Sequence, residues 1–197
     1  MTATTEVRGT FPPSAVLVVI EVQKAIDDPS WGRRNNPQAE ANIARLLAAW
    51  RSTGRPVLHV RHLSREPGST YRPGQEGCEF KDVVQPLPHE TVVTKSVNSA
   101  FIGTGLEEEL RARGQYTLVV TGVITNNSVE ATVRMAGNLG FMTYVVCDAT
   151  ATFDRVDLDG KRHRAEDVHA LSLANMHGEY ATVIDTETVL DRLQSGA

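Results

Sequence analysis

Cysteine occurs only twice in the 197 residues, at Cys78 and Cys147. That is too few for a disulfide framework and, beside six scattered histidines, for a structural zinc site. Two thiols suggest a reducing compartment. No apolar run reaches the roughly 18 residues that a membrane span needs. The first thirteen residues carry Glu6, Arg8 and two prolines without an apolar stretch, so 1–13 reads as a flexible N-terminal segment and no signal peptide. A basic excess is missing too: 20 Lys and Arg stand against 24 Asp and Glu, a net charge of −4, which argues against a nucleic-acid partner. Repeats, low-complexity stretches and linkers are also lacking. With 41% apolar and 22% charged residues, what is left is an ordinary globular chain: one soluble, cytoplasmic domain over 1–197, with no membrane partner.

Apolar runs alternate with helical stripes along that domain. Ala15 to Ile20 (AVLVVI) reads as a strand buried on both faces. Asn36 as N-cap and Pro37 at the first helical position open a helix with Ile43, Leu46, Leu47 and Trp50 on one face, closed by Gly54. Strands follow at 57–60 and 91–94, separated by a Pro-, Gly- and Ser-rich loop over 64–77 whose length predicts a functional or mobile segment. In the second half, Leu106 and Leu110 mark a helix, 116–121 a strand, Val129 to Ala136 a helical stripe, and 141–147 a strand. A helix around 168–175, a strand at 182–184 and a helix at 186–193 complete the chain. This rhythm predicts an α/β, Rossmann-like domain: a mostly parallel sheet of about six strands with helices on both faces.

Ligands of such sheets collect at the carboxyl ends of the strands. The residues standing there are Glu21 and Gln23, Arg61 and His62, Lys95, the segment 121–128, and Asp148. A carboxylate, an ammonium and a hydroxyl thus converge from distant parts of the chain, a set suited to a nucleophile with a base and a cationic partner. In Thr121-Gly-Val-Ile-Thr-Asn-Asn-Ser128 a strand turns into a helix. Asn127 and Ser128 read locally as helix caps, while the free amides of such a turn can also hold an oxyanion.

VLVVIEVQKAIDD, VVTKSVNSAF and VVTGVITNNSVEATVRMAGNLGF, in that order, resemble the isochorismatase-like (cysteine hydrolase) superfamily over nearly the whole chain. The resemblance implies the fold just predicted and an Asp-Lys-Cys triad in the amidase members. Glu21 stands where the Asp of a D-x-Q is expected, Lys95 matches the Lys, and Ser128 stands in the place of the Cys in T-x-x-C-V-x-x-T. It also implies a cis peptide at Val123–Ile124, an oxyanion hole from the Ile124 and Ser128 amides, and a homo-oligomer, dimer or tetramer. Nicotinamidases carry an Asp-x-His metal site near His59 and His62; its Asp is absent, so no metal and no cofactor are expected. Gln23, Trp31, His62, Phe101 and Asn127 are the expected substrate-binding residues.

Both replacements change the chemistry. A thiol is readily ionised beside a lysine and a helix N-terminus, whereas a serine must give its proton to a base during attack. Glu21 would be that base and Lys95 its electrostatic partner, in a hydrolase of a small amide or ureido C–N bond. A second route uses Glu21 as the acid that cleaves a vinyl ether, as in isochorismatases proper. A binding protein without catalysis, or a serine substituted to hold substrate, are the other readings.

Overall fold

The computed structural model describes residues 9–194. Six strands form one sheet: β1 (Val16–Ile20), β2 (Val57–His62), β3 (Thr91–Lys95), β4 (Thr117–Val123), β5 (Met142–Ala151) and, after a short antiparallel hairpin of β6 (Arg155–Val156) and β7 (Arg162–His163), β8 (Thr182–Ile184). Their spatial order is β3-β2-β1-β4-β5-β8, and every pairing in it is parallel. Chain order reverses direction between β1 and β4, which makes their carboxyl ends the natural place for a site.

The sheet is covered on both sides. Alternate residues of β1 face opposite layers: Leu17 and Val19 pack with α1 (Ala39–Ser52) and α5 (Thr186–Gln194), while Val16, Val18 and Ile20 pack with α2 (Leu106–Ala112), α3 (Glu130–Asn138) and α4 (Ala165–Met176). This two-sided burial is why β1 reads as an unbroken apolar run. Trp50 of α1 is fully buried and donates its indole N–H to the Ala15 carbonyl at 3.0 Å.

Phe11 is 2% exposed, wedged against the Trp50 and Tyr144 rings at 5.9 and 5.2 Å, while Thr10 and Pro12 beside it are exposed; residues 1–8 of the expected flexible segment lie outside the described residues. Three expectations change. Asn36 is no N-cap: its φ is +43° and its amide donates to the Cys147 and Thr150 carbonyls, and α1 begins at Ala39. β5 runs to Ala151, because a register shift between Val120 and Gly122 restores its pairing with β4. Asp148 therefore lies within β5, where one oxygen accepts from the Thr186 amide and hydroxyl and caps α5, away from the site rim.

Candidate active site

At the reversal point, β1 ends in a sharp turn. Glu21 has φ +52°, a conformation uncommon for a side chain larger than glycine and typical of functional turns. Its amide donates to the Val60 carbonyl at 2.9 Å, which keeps the turn tied to β2. Gly122, opposite Ile20 on β4, has φ +112°, and a Cβ there would lie 2.1 Å from the Ile20 carbonyl oxygen. Glycine alone lets the two strands approach this closely. The Val123–Ile124 peptide that follows is cis, and the chain then enters a wide helical turn, Thr125–Val129, that runs into α3.

Three side chains meet over these strand ends. Lys95, last residue of β3, reaches across β2 to bond the Glu21 carboxylate. The same ammonium donates to the Val97 carbonyl at 2.8 Å, and stands 3.4 Å from His62 Nδ1 and 3.5 Å from Ser128 Oγ. An ammonium has three N–H groups, so Glu21 and Val97 hold two and the third is shared between His62 and Ser128. The Ser128 hydroxyl is also near enough to the Glu21 carboxylate to favour its charged form. All three of Glu21, Lys95 and Ser128 are at most 5% exposed.

Burial dominates the electrostatics. It pushes the Glu21 carboxyl up, against the opposing pull of Lys95, and pushes the Lys95 ammonium down, against the pull of Glu21. Both shifts narrow the gap between acid and base, which eases proton movement among the three groups. His62 is driven down to about 4 by burial first and by the Lys95 charge second. It is neutral at ordinary pH, and its Nδ1 can accept from the ammonium.

The remaining expected residues divide. Gln23 is fully buried, donates to the His62 and Cys78 carbonyls and accepts from the His62 amide, so its side chain ties the ends of β1 and β2 together. Phe101 is half-buried, and its ring packs on that of Phe141, just before β5, with centroids 5.6 Å apart. Trp31 stands near the site, its indole anchored to the Ala25 carbonyl and its ring stacked on Phe153. Asn127 is half-buried in the wide turn, its amide bonded to the Ile124 carbonyl. His59 and His62 fall on opposite faces of β2: His59 pairs with Glu90 at 2.9 Å, so the two cannot share an ion.

Sequence reasoning missed the groups that hold the wide turn. His169 of α4 bonds the Thr125 hydroxyl at 2.9 Å and the Cys147 carbonyl at 3.0 Å. Asn126 accepts from Thr152 at 2.5 Å. Tyr71, from the loop over 64–77, sets its ring edge-on to His62 at 5.5 Å and to Trp31 at 6.3 Å. The Gly- and Pro-rich setting of that loop signalled a functional segment, without singling out this residue.

Comparisons with known proteins agree with this architecture. The family model for the isochorismatase domain matches residues 15–188. A crystal structure of an isochorismatase-family member from Chromobacterium violaceum superimposes with a TM-score of 0.92 at 55% identity, covering 95% of this chain and 97% of that one. The uncharacterised isochorismatase family protein YrdC of Bacillus subtilis is 44% identical over 175 residues, 89% of this chain and 94% of its own. The ureidoacrylate amidohydrolase RutB of Methylobacterium radiotolerans is 28% identical over 88% of this chain and 77% of its own. The chain belongs to the isochorismatase family.

Proposed function

We propose that this protein is an isochorismatase-family hydrolase that cleaves the C–N bond of a small amide or ureido compound with Glu21, Lys95 and Ser128 acting in the places of the family's Asp, Lys and Cys. The observation that carries the reading is Ser128 Oγ 3.5 Å from the Lys95 ammonium, which is itself bonded to the Glu21 carboxylate, with all three side chains buried. The similarity to a ureidoacrylate amidohydrolase supports the substrate class.

Ser128 Oγ attacks the substrate carbonyl carbon and passes its proton to Glu21. The oxyanion is met by the amides of Ile124 and Ser128. As the intermediate collapses, the C–N bond breaks and Glu21 returns the proton to the leaving nitrogen. Water then attacks the acyl-serine, its proton passing through Glu21, and the acid departs with Ser128 restored. Lys95 stabilises the carboxylate throughout and, by pairing with it, keeps the base from being neutralised by burial. His62, neutral, holds the ammonium in place from its other side.

The raised Glu21 carboxyl favours one other reading, acid cleavage of a vinyl ether, in which Ser128 only shapes the pocket. Parallel assays of the wild type, Ser128→Ala, Ser128→Cys and Glu21→Gln against small amides, ureido compounds and isochorismate separate the two. The triad reading predicts C–N hydrolysis that falls by at least about a thousandfold in Ser128→Ala and Glu21→Gln. Isochorismate cleavage untouched by Ser128→Ala, without amide turnover, would replace it with the acid route.

A further inference from the structure

Four buried side-chain atoms among the described residues have no hydrogen-bond partner: His59 Nδ1, Thr70 Oγ1, the Tyr71 hydroxyl and Arg192 Nη1. His59 is occupied with Glu90 on the far side of β2, Arg192 lies over the Phe11 ring, and Thr70 lines a surface cavity of about 400 Å³ with Lys24, Asp27 and Glu76. Tyr71 alone stands beside the triad. It is 4% exposed, and its ring meets the edge of His62, the side chain whose Nδ1 lies 3.8 Å from Glu21 and 3.4 Å from Lys95. Trp31 closes the other side.

A phenylalanine would fill this space as well. The hydroxyl adds a polar atom shut off from water that bonds nothing in the protein, so the fold gains nothing from it. Burial, aided by the charges of Glu21 and Asp27, holds the phenol far above its ordinary value. It is therefore a neutral O–H donor at every working pH. A carboxylate brought into so buried a place would lose its hydration, a cost that a neutral carbonyl largely avoids.

We propose that the Tyr71 hydroxyl is a substrate-binding donor that takes an uncharged acceptor oxygen carried by the substrate beside its scissile amide, and so selects diamides and acylureas over simple amides and over amide acids. This rests on the reading that a small amide enters beside Ser128. The probes are malonamide, with a second neutral carbonyl; malonamate, with a carboxylate there; and butyramide, with neither. They are assayed with the wild type and Tyr71→Phe, alongside thermal unfolding of both.

The wild type is expected to favour malonamide in kcat/KM over both others by about tenfold to a hundredfold. Tyr71→Phe erases that preference by bringing malonamide turnover down to the level of butyramide, and melts no lower than the wild type. A preference that survives in Tyr71→Phe, or a variant that melts several degrees lower, overturns the assignment. If the wild type hydrolyses no amide, the hydrolase reading fails by itself, and calorimetric binding of the same three compounds then decides. Tighter malonamide binding that depends on Tyr71 sustains the role, and its absence overturns it.

Discussion

Lys95 and Glu21 are each close to inaccessible to water, and neither charge is tolerable there without the other. Removing one partner of such a pair leaves an uncompensated charge, which costs about 3–5 kcal/mol, whereas removing both is far milder. Lys95→Met should therefore destabilise strongly in urea unfolding at pH 7, and adding Glu21→Gln should recover most of the loss. Additive effects would mean that the two groups do not act as a pair. The histidines set a pH dependence of definite sign. Burial lowers His62 to about 4 and also lowers His59 and His169. Below about pH 6.5 the unfolded chain takes up protons that the folded state refuses, so stability falls as pH drops from there toward 4, by about 1.4 kcal/mol per pH unit for each excess proton. Glu21 runs the other way, its raised carboxyl gaining a proton more readily when folded, one group against three. Glu90, held down to about 2 by Arg51, the Leu87 amide and His59 against the opposing effect of burial, extends the loss: its contribution is present above about pH 4.5 and disappears toward 2. Urea midpoints that stay constant between pH 7.5 and 5 would contradict this account.

The wide turn from β4 into α3 carries Ser128, and it is held from outside. Thr125 is fully buried, and its bond to His169, with Ser172 of α4 reaching the Thr125 carbonyl at 3.4 Å and Glu130 at 2.6 Å, fixes it to α4. Thr125→Val keeps the shape and orphans the imidazole nitrogen, at a cost of about 1–3 kcal/mol; kcat should fall with little change in KM, and unaltered kcat would show that α4 plays no part in positioning Ser128. Gly122→Ala forces a methyl group onto the Ile20 carbonyl, and should cost more than about 2 kcal/mol in thermal or urea unfolding. Elements with strong periodicity were legible in the sequence: β1, the apolar face of α1 and the order of strands and helices. The clamps on the turn were not. His169 and Asn36 bond backbone carbonyls of β5, and such contacts between distant segments leave no local pattern. Asn36 misled for the same reason, since an asparagine before a proline reads as a cap whichever carbonyls it serves.

At the scale of the whole molecule, topology brings together what the chain separates. Glu21, Lys95 and Ser128 span more than half of the sequence, and the strand order β3-β2-β1-β4 sets their backbones side by side at one sheet edge. Alternation of apolar runs and helices was enough to predict that convergence, because ligand sites of parallel sheets lie at strand carboxyl ends. Distances, and the partners that tie Lys95 between four groups, came only with the fold. The central claim is that Ser128 is a nucleophile activated by Glu21. An aryl carbamate tests it most directly, because attack by a serine leaves a slowly released carbamoyl group on the oxygen. Peptide mass mapping after exposure should find the carbamoyl group on Ser128 in the wild type, none in Ser128→Ala, and much slower labelling in Glu21→Gln. Labelling elsewhere, or labelling of Ser128 at the same rate without the Glu21 carboxylate, would contradict it.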